Sequence, residues 1–101
     1  MMRHVQHTSS AKADTSEALA YLGERSPDAS ERLATELDQR ITLLASQPLM
    51  GRMRDDLSPG LRSSVVGKYH IFYRFTDDEL RVVRILRGSR NVEGILRGDD
   101  D

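Results

Sequence analysis

The chain has 101 residues, which suits one compact domain and excludes a dinucleotide-binding unit with a separate substrate domain. It has 15 basic and 16 acidic side chains and no cysteine, so disulfides, thiol catalysis and cysteine-based metal sites are excluded. No apolar run could span a membrane and none resembles a signal peptide. We therefore expect one soluble, cytoplasmic domain over residues 1–98 and a frayed acidic tail at 99–101.

Charge is distributed unevenly along the chain. Residues 11–38 contain three basic and seven acidic side chains, whereas residues 50–97 contain ten basic and six acidic ones. Such a chain can present different surfaces to different partners. The balanced total and the few aromatic residues argue against direct, sequence-specific nucleic-acid binding.

The first predicted elements are a short strand and a helix. Residues 2–8 alternate weakly between polar and apolar types, which predicts a strand. Ser9 or Ser10 is then expected to cap a helix from about Ala11 to Arg25. We expect its small inward residues to leave a groove that a partner helix can fill with larger side chains. This thin stripe consists of Ala11, Thr15, Ala18, Leu19 and Leu22.

The second helix has the clearest signals of any element. Ser26 is an expected N-cap, Pro27 suits the first helical position, and Asp28 favours the positive end of the helix. Apolar residues recur at helical spacing: Ala29, Leu33, Leu37, Ile41 and Leu44. The helix should end before Pro48, and the short connection predicts an antiparallel pair of helices.

Residues 48–61 have the composition of a loop, and after them the apolar period changes to two. Gly67 interrupts the run, which predicts strands at about 61–66 and 69–75. One parity of these strands is apolar and consists of Val65, Tyr69, Ile71, Tyr73 and Phe75. Its members from Tyr69 to Phe75 are expected to pack under the second helix.

Two glycine–arginine junctions lie between the loop and the strands. Gly51 and Gly60 are expected to supply a positive φ or a close backbone approach. Arg62 is expected to form an ion pair with Asp55 or Asp56 that ties down the loop.

The last strand is predicted from Leu80 to Arg87, followed by a short helical tail at 90–96. By strict alternation, Arg81 and Arg87 share one face of this strand and Arg84 points the opposite way. The predicted order is β-α-α-β-β-β. This is an α+β fold in which a helical hairpin packs on a small antiparallel sheet.

Several short motifs follow one another in a fixed order between Ser9 and Asn91. They are Ser9 with Ala11 and Asp14, Tyr21-Leu22, Pro48-x-x-Gly51-Arg52, Pro59-Gly60-Leu61-Arg62, Val66-Gly67-x-Tyr69-x-Ile71-x-Tyr73-Arg74, and Val83-x-Ile85-Leu86-x-Gly88-x-Arg90. In this order the chain resembles the RelE/ParE superfamily and, within it, the ParE-type toxins of type II toxin–antitoxin systems. The resemblance implies the same helical hairpin on an antiparallel sheet.

The resemblance to ParE-type toxins also implies an activity. Such a toxin acts by binding DNA gyrase and trapping it on cleaved DNA, and catalyses no reaction itself. The terminal strand and tail would then carry the target contact, through Arg84, Arg87 and Arg90.

A cognate antitoxin is the second partner that the resemblance implies. We expect it on the helical hairpin and the sheet edge, with contacts at Tyr21, Leu22 and Arg74. The acidic surface of the hairpin favours a partner with basic residues.

An alternative from another class is ribosome-dependent mRNA cleavage, the RelE-type activity. In-line attack by a ribose 2′-hydroxyl needs a base, an acid and cations around the phosphorane. The candidates are Arg62, His70 and Arg74, and the chain after Tyr73 contains no histidine or tyrosine. The competing interpretation of His70 is a solvent-facing strand histidine without a catalytic role.

A third hypothesis is a non-toxic family member that only binds its partner. The thin first helix and the altered terminal motif favour it. In each case we expect no metal and no cofactor. No His, Asp or Glu set has metal-ligand spacing, and no Gly-rich phosphate loop is present.

Overall fold

The computed structural model describes residues 2–88 and 91–97. Its elements are β1 His4–His7, α1 Ser9–Arg25, α2 Pro27–Ser46, a 3₁₀ turn Pro48–Met50, β2 Arg52–Met53, β3 Arg62–Val66, β4 Tyr69–Phe75, β5 Glu79–Arg87 and α3 Val92–Arg97. The predicted α+β fold and its element order are confirmed. One addition is the two-residue strand β2, which lies inside the predicted loop. The tail at 99–101 lies outside the described residues.

The five strands form one sheet in the order β1-β5-β4-β3-β2. Adjacent strands from β2 to β5 are antiparallel, whereas β1 runs parallel to β5 from the His4–Glu79 pair to the His7–Val82 pair. The sheet is therefore mixed at one edge, where a purely antiparallel sheet was predicted. Since no hairpin joins β1 to β5, the connection does not require them to run in opposite directions.

The first helix begins at Ser9, two residues before the predicted start near Ala11, because its cap is Thr8 and not Ser9 or Ser10. The Thr8 hydroxyl accepts from the Ala11 N–H at 3.0 Å and donates to the Val83 carbonyl at 2.7 Å. One side chain thus caps α1 and ties it to β5. The predicted cap of α2 is confirmed, with Ser26 accepting from the Ala29 N–H at 3.2 Å.

The main core lies between the helices and one face of the sheet. Ala11 and Ala18 of α1 are buried in it, so the apolar side of α1 packs closely inside the fold. The predicted groove is therefore closed at Ala11 and Ala18, whereas Leu22 of the same stripe lines a cavity described below. Small residues here let the helix approach the sheet. The other buried members are Leu33, Leu37, Ile41, Leu44, Ala45, Val66, Ile71, Tyr73, Leu80, Val82 and Ile85.

A second, smaller core covers the opposite face of the sheet. It explains why β5 carries apolar residues on both parities, as the sequence indicated. Its buried members are Leu61, Phe72, Val83, Leu86 and Leu96, the last from α3.

The β3–β4 hairpin corrects one face assignment. Its turn has two residues, so Val66 lies opposite Tyr69 and Val65 lies opposite His70. Val66 therefore packs in the main core, whereas Val65 is on the other face and is 50% exposed. Counting parity through the turn had placed Val65 with Tyr69. Residues that pair directly across two strands lie on the same face of the sheet. Because the turn has two residues, the numbers of paired residues differ by an odd number, so Val65 and Tyr69 lie on opposite faces.

Candidate functional site

An ion pair joins α1 to the terminal strand. The Asp14 carboxylate accepts from Arg84 Nε at 2.7 Å and Nη2 at 2.8 Å, and from the Ile85 backbone N–H at 3.0 Å. Asp14 is 7% exposed, and it lies against β5 beyond the last residue pair with β1. Arg84, a predicted target contact, therefore uses its guanidinium to hold α1 on the sheet edge.

A β-bulge sets the directions of the other arginines of β5. The β4–β5 register shifts by one residue at Val83. Arg81 then lies opposite Arg74, on the face away from the helices, whereas Arg87 lies opposite Tyr69, on the helix face. The prediction that Arg81 and Arg87 share a face is wrong, because a bulge inserts one residue into the alternation. Arg90, the third predicted target contact, lies outside the described residues.

A groove of about 600 Å³ opens where the α1–α2 hairpin meets the start of β4. We call it the end groove. Its apolar lining residues are Tyr21, Leu22, Ala29, Leu33, Val66 and Tyr69. Its charged lining residues are Arg32, Glu36, Lys68 and Arg87. The end groove thus combines an apolar floor with a charged rim.

The rim of the end groove is mainly cationic. Arg32, Lys68 and Arg87 make no side-chain hydrogen bond or ion pair with any other part of the described chain. Glu36 is the one carboxylate among the lining residues of this groove in the described chain. A partner with basic residues was expected from the acidic surface of the hairpin, but the charged residues that line this groove do not favour one. Unpaired cations around an apolar floor favour an acidic partner.

Two of the three predicted antitoxin contacts lie together. Tyr21 and Leu22 both line the end groove, and the Arg25 guanidinium stacks over the Tyr21 ring at 3.8 Å. Arg74 lies five residues beyond Tyr69 along β4, about 17 Å away at the usual strand rise.

Arg74 also points to the other face of the sheet. Its guanidinium donates to the Ser58 hydroxyl at 2.6 Å and to the Pro59 carbonyl. Its observed contacts therefore fix the loop before β3.

The predicted nuclease centre is divided between two faces of the sheet. Arg62 lies on the helix face and donates to the Gly51 carbonyl at 2.7 Å. His70 lies on the opposite face, where its ring stacks with Phe72 at a centroid distance of 6.0 Å. Arg74 shares that face but is four residues from His70, or about 13 Å along the strand. The structure does not bring the three side chains together.

The expected ion pair of Arg62 with the loop carboxylates is also wrong. Asp56 pairs with Arg54 at 3.1 Å, and this hydrogen bond lowers the pKa of the exposed Asp56 carboxyl. Asp55 accepts from the Gly60 N–H at 2.9 Å. Arg62 faces the helices, so its guanidinium reaches backbone carbonyls of the 3₁₀ turn.

A buried tyrosine fixes the segment between α2 and β2. The Tyr73 hydroxyl donates to the Pro48 carbonyl at 2.5 Å and accepts from the Gly51 N–H at 3.0 Å. A Cβ at Gly51 would lie 2.2 Å from the Tyr73 oxygen, so the close approach expected of this glycine is confirmed. Gly60 has a φ of +79°, which confirms the positive φ expected at a junction glycine. Burial raises the pKa of Tyr73 above its usual value.

Burial, followed by the charge of Lys12, lowers the pKa of His7, but His7 does not line the end groove. Within residues 2–88 and 91–97, no three or more His, Asp or Glu side chains are grouped so as to hold a metal ion. None of the helices in this part of the chain is both long and apolar enough to cross a membrane.

Comparison with known proteins identifies the family. Residues 5–92 match the model of the ParE toxin family, described as the "ParE toxin of type II toxin-antitoxin system, parDE". Toxin ParE1 of Mycobacterium tuberculosis is 34% identical over 67 residues, which cover 65% of this chain and 68% of the relative. Toxin ParE1 of Caulobacter vibrioides is 30% identical over 87 residues, which cover 85% of this chain and 90% of the relative.

Solved structures agree with this fold. A chain of the "Chromosomal ParDE TA system from P. aeruginosa" matches with a TM-score of 0.72 at 19% identity, over 85% of this chain and 96% of that chain. A chain of the toxin–antitoxin complex RelBE2 from Mycobacterium tuberculosis matches with a TM-score of 0.56 at 25% identity, over 86% of this chain and 99% of that chain. Since the family model spans most of the sequence, this protein belongs to the ParE toxin family of type II toxin–antitoxin systems.

Proposed function

We propose that this toxin acts by binding DNA gyrase and trapping it on cleaved DNA, and that a cognate antitoxin neutralises it. The observation that carries the proposal is that the three nuclease candidates lie on two faces of the sheet. Arg62 lies on the helix face, and His70 and Arg74 lie on the opposite face. RNA cleavage needs an acid and a base within hydrogen-bond reach of one phosphate. The separation of these side chains therefore favours a toxin that acts by binding its target. To reach gyrase, such a toxin must be in the cytoplasm.

Arg87 is the leading candidate for the target contact. It is the last residue of β5, and its guanidinium makes no ion pair within the described chain. Arg84 is held by Asp14 at the sheet edge, so it would act mainly by holding α1 against the strand that carries Arg87. Arg90, which follows β5 in the sequence, is proposed as a further target contact.

The antitoxin is proposed to bind in the end groove. The groove offers apolar side chains from both helices and from β4, including the exposed ring of Tyr21. The two similar solved structures are a toxin–antitoxin system and a toxin–antitoxin complex, which supports a partner of this class. An amphipathic segment could place apolar side chains on the groove floor and carboxylates against its rim.

A gyrase supercoiling assay tests the proposal. Purified toxin, freed of any partner and shown to be folded, is added to gyrase, ATP and relaxed plasmid. We expect supercoiling to be lost, and to be restored when the antitoxin encoded beside the toxin is added. Unaffected supercoiling, together with cleavage of mRNA on translating ribosomes, would replace the proposal with the RelE-type activity. Failure of both assays would favour a non-toxic protein that only binds its partner.

A further inference from the structure

Exposed apolar side chains are concentrated on the segment between α2 and β3. Among the residues that the structure describes, seven large apolar side chains are exposed. Three of them lie within five consecutive positions. Leu49 and Met50 of the 3₁₀ turn and Met53 of β2 are 69%, 43% and 59% exposed. We call these three side chains the methionine patch, and a concentration of exposed apolar surface of this kind marks an interaction site.

The members of the methionine patch are neighbours in space as well as in sequence. Met53 lies opposite Arg62 of β3, so both side chains are on the helix face of the sheet. The Arg62 guanidinium donates to the Leu49 carbonyl at 3.3 Å, which places it against the 3₁₀ turn. Met53 and Leu49 therefore lie beside the same arginine side chain.

An apolar cavity of about 440 Å³ adjoins the methionine patch. It is lined by Leu49 and Met50 and by Phe75 of β4, and Arg3 is its one charged lining residue in the described chain. The Arg3 guanidinium lies over the Phe75 ring at 5.3 Å and donates to the Thr76 carbonyl at 2.6 Å. A partner can therefore bury an apolar side chain in this cavity and place a carboxylate against Arg3.

The backbone that carries the patch is fixed by side chains beneath it. The Tyr73 hydroxyl bonds both the Pro48 carbonyl and the Gly51 N–H. Arg62 donates to the carbonyls of Leu49 and Gly51. Because the backbone is already ordered, little conformational entropy is lost there when a partner binds. The unbranched methionine side chains can still adapt to the shape of that partner.

The charges around the methionine patch indicate the kind of partner that fits it. Residues 39–54 contain three arginines and no carboxylate. The first two carboxylates after them are already engaged, since Asp55 accepts from the Gly60 N–H and Asp56 pairs with Arg54. A second copy of the chain would bring like charges together at this surface. A partner whose apolar side chains are bordered by carboxylates would complement it.

We propose that the methionine patch is a second contact surface for gyrase, and that it binds an apolar part of the gyrase surface that is bordered by carboxylates. This inference rests on the proposed function, because it adds a site to the target contact at Arg87. Arg87 lies opposite Tyr69, six residues or about 20 Å along β4 from Phe75 at the patch cavity. An interface of ordinary size, about 800 Å² on each partner, can include both sites. Two separated sites would fix the orientation of the toxin on gyrase.

Charge insertion in the methionine patch tests the proposal. Folded toxin, free of antitoxin, is titrated into gyrase, ATP and relaxed plasmid, and linear, protein-linked DNA is measured. Leu49→Asp and Met53→Asp should each raise the toxin concentration for half-maximal linear DNA at least about tenfold, because each places a carboxylate in the proposed apolar contact. Val65→Asp is the matched control, because Val65 is a 50% exposed apolar side chain on the other face of the sheet. This variant should keep wild-type activity.

Methionine oxidation gives a second measurement, on the unaltered protein. Dilute hydrogen peroxide converts exposed methionine to its sulfoxide, and mass spectrometry of peptides gives the rate at each position. Met50 and Met53 should be oxidised at least about fivefold more slowly in toxin bound to gyrase and DNA than in free toxin. Equal rates in the bound and free toxin would overturn the proposal.

The outcomes separate the methionine patch from the proposed function. The altered side chains are exposed, so urea midpoints should match the wild type. If the wild type and both patch variants form linear DNA at the same toxin concentration, the patch proposal is overturned and gyrase poisoning stands. If the wild type forms no linear DNA, the proposed function fails and the patch proposal fails with it. Loss of antitoxin affinity alone, or a free toxin dimer that Leu49→Asp dissociates, would assign the patch to another partner and also overturn the proposal.

Discussion

Asp14 of α1 and Arg84 of β5 form a bidentate ion pair beyond the point where β1 stops pairing with β5. The same carboxylate accepts the Ile85 backbone N–H, which would otherwise face an open strand edge. One acidic side chain therefore accepts a hydrogen bond from this backbone N–H and also anchors α1 on the sheet. The ion pair thus holds α1 against the strand that carries Arg87.

Removing one member of this pair should destabilise the fold strongly. Asp14→Ala removes the carboxylate that pairs with the largely buried Arg84 guanidinium and accepts from the Ile85 N–H, so we expect a loss of about 3–5 kcal/mol in the free energy of unfolding. The double variant Asp14→Leu/Arg84→Met should lose clearly less than Asp14→Ala, because it replaces both charged partners with apolar side chains. Urea unfolding measures both, and a loss below about 1 kcal/mol for Asp14→Ala would contradict a structural role for the pair.

Charge reversal at Arg87 should remove toxicity without unfolding the protein. The guanidinium makes no ion pair within the described chain, so Arg87→Glu should keep the wild-type urea midpoint. We expect growth inhibition on induction to fall at least about tenfold, because a proposed central contact is reversed. Arg81→Glu is the control on the other face of the same strand, and it should remain toxic. Equal toxicity of both variants and the wild type would exclude Arg87 from the target contact.

Two glycine-to-alanine changes should act in opposite directions. A Cβ at Gly51 would lie 2.2 Å from the Tyr73 oxygen, so Gly51→Ala must displace a buried ring and should cost about 1–3 kcal/mol. A Cβ at Gly23, inside α1, meets only the Ser30 side chain at 3.8 Å. Gly23→Ala should therefore stabilise the protein by about 0.5–1 kcal/mol, through lower backbone entropy of the unfolded chain. Thermal unfolding of the two variants would disprove this account if both shifted the same way.

The raised pKa of Tyr73 predicts a loss of stability in alkali. Burial favours the neutral phenol in the folded state, so the stabilisation is complete below the ordinary tyrosine pKa of about 10. It is lost as the pH rises from there through the higher pKa of the folded state. Urea midpoints between about pH 8 and pH 11 should fall more steeply for the wild type than for Tyr73→Phe. Parallel curves would mean that Tyr73 ionises equally in both states.

Tyr73→Phe should also reveal the value of the buried hydroxyl at neutral pH. The change leaves the Gly51 N–H and the Pro48 carbonyl without their partner. We expect a cost of about 1–3 kcal/mol in the free energy of unfolding. A neutral effect would indicate that water replaces the hydroxyl.

Much of the fold could be predicted because its signals are local. The Ser26-Pro27 start of α2, its apolar stripe and the change of period after the loop are each readable within a few residues. The burial of Asp14 was not predicted, although Asp14 lies three residues after Ala11 and four before Ala18, on the buried stripe of α1. A polar residue in such a position is a usable signal of a buried pair.

The candidate site was harder to predict because it depends on contacts between distant parts of the chain. The bulge at Val83 places Arg81 and Arg87 on opposite faces of the sheet, whereas strict alternation would place them on the same face. The residue type at this position does not indicate a bulge. Tyr21 and Leu22 were named from the family resemblance, and the structure adds that they share a groove with Arg87. Arg74 was named in the same way, yet its partners Ser58 and Pro59 become neighbours only when the loop folds back.

We propose that this toxin poisons gyrase by binding it. The most direct measurement is the amount of linear, protein-linked plasmid that forms when folded toxin is incubated with gyrase, ATP and relaxed DNA, then denatured with detergent. We expect linear DNA to accumulate with the wild type and with Arg81→Glu, and to be absent with Arg87→Glu. No linear DNA with wild-type toxin that is folded and free of antitoxin would contradict the account.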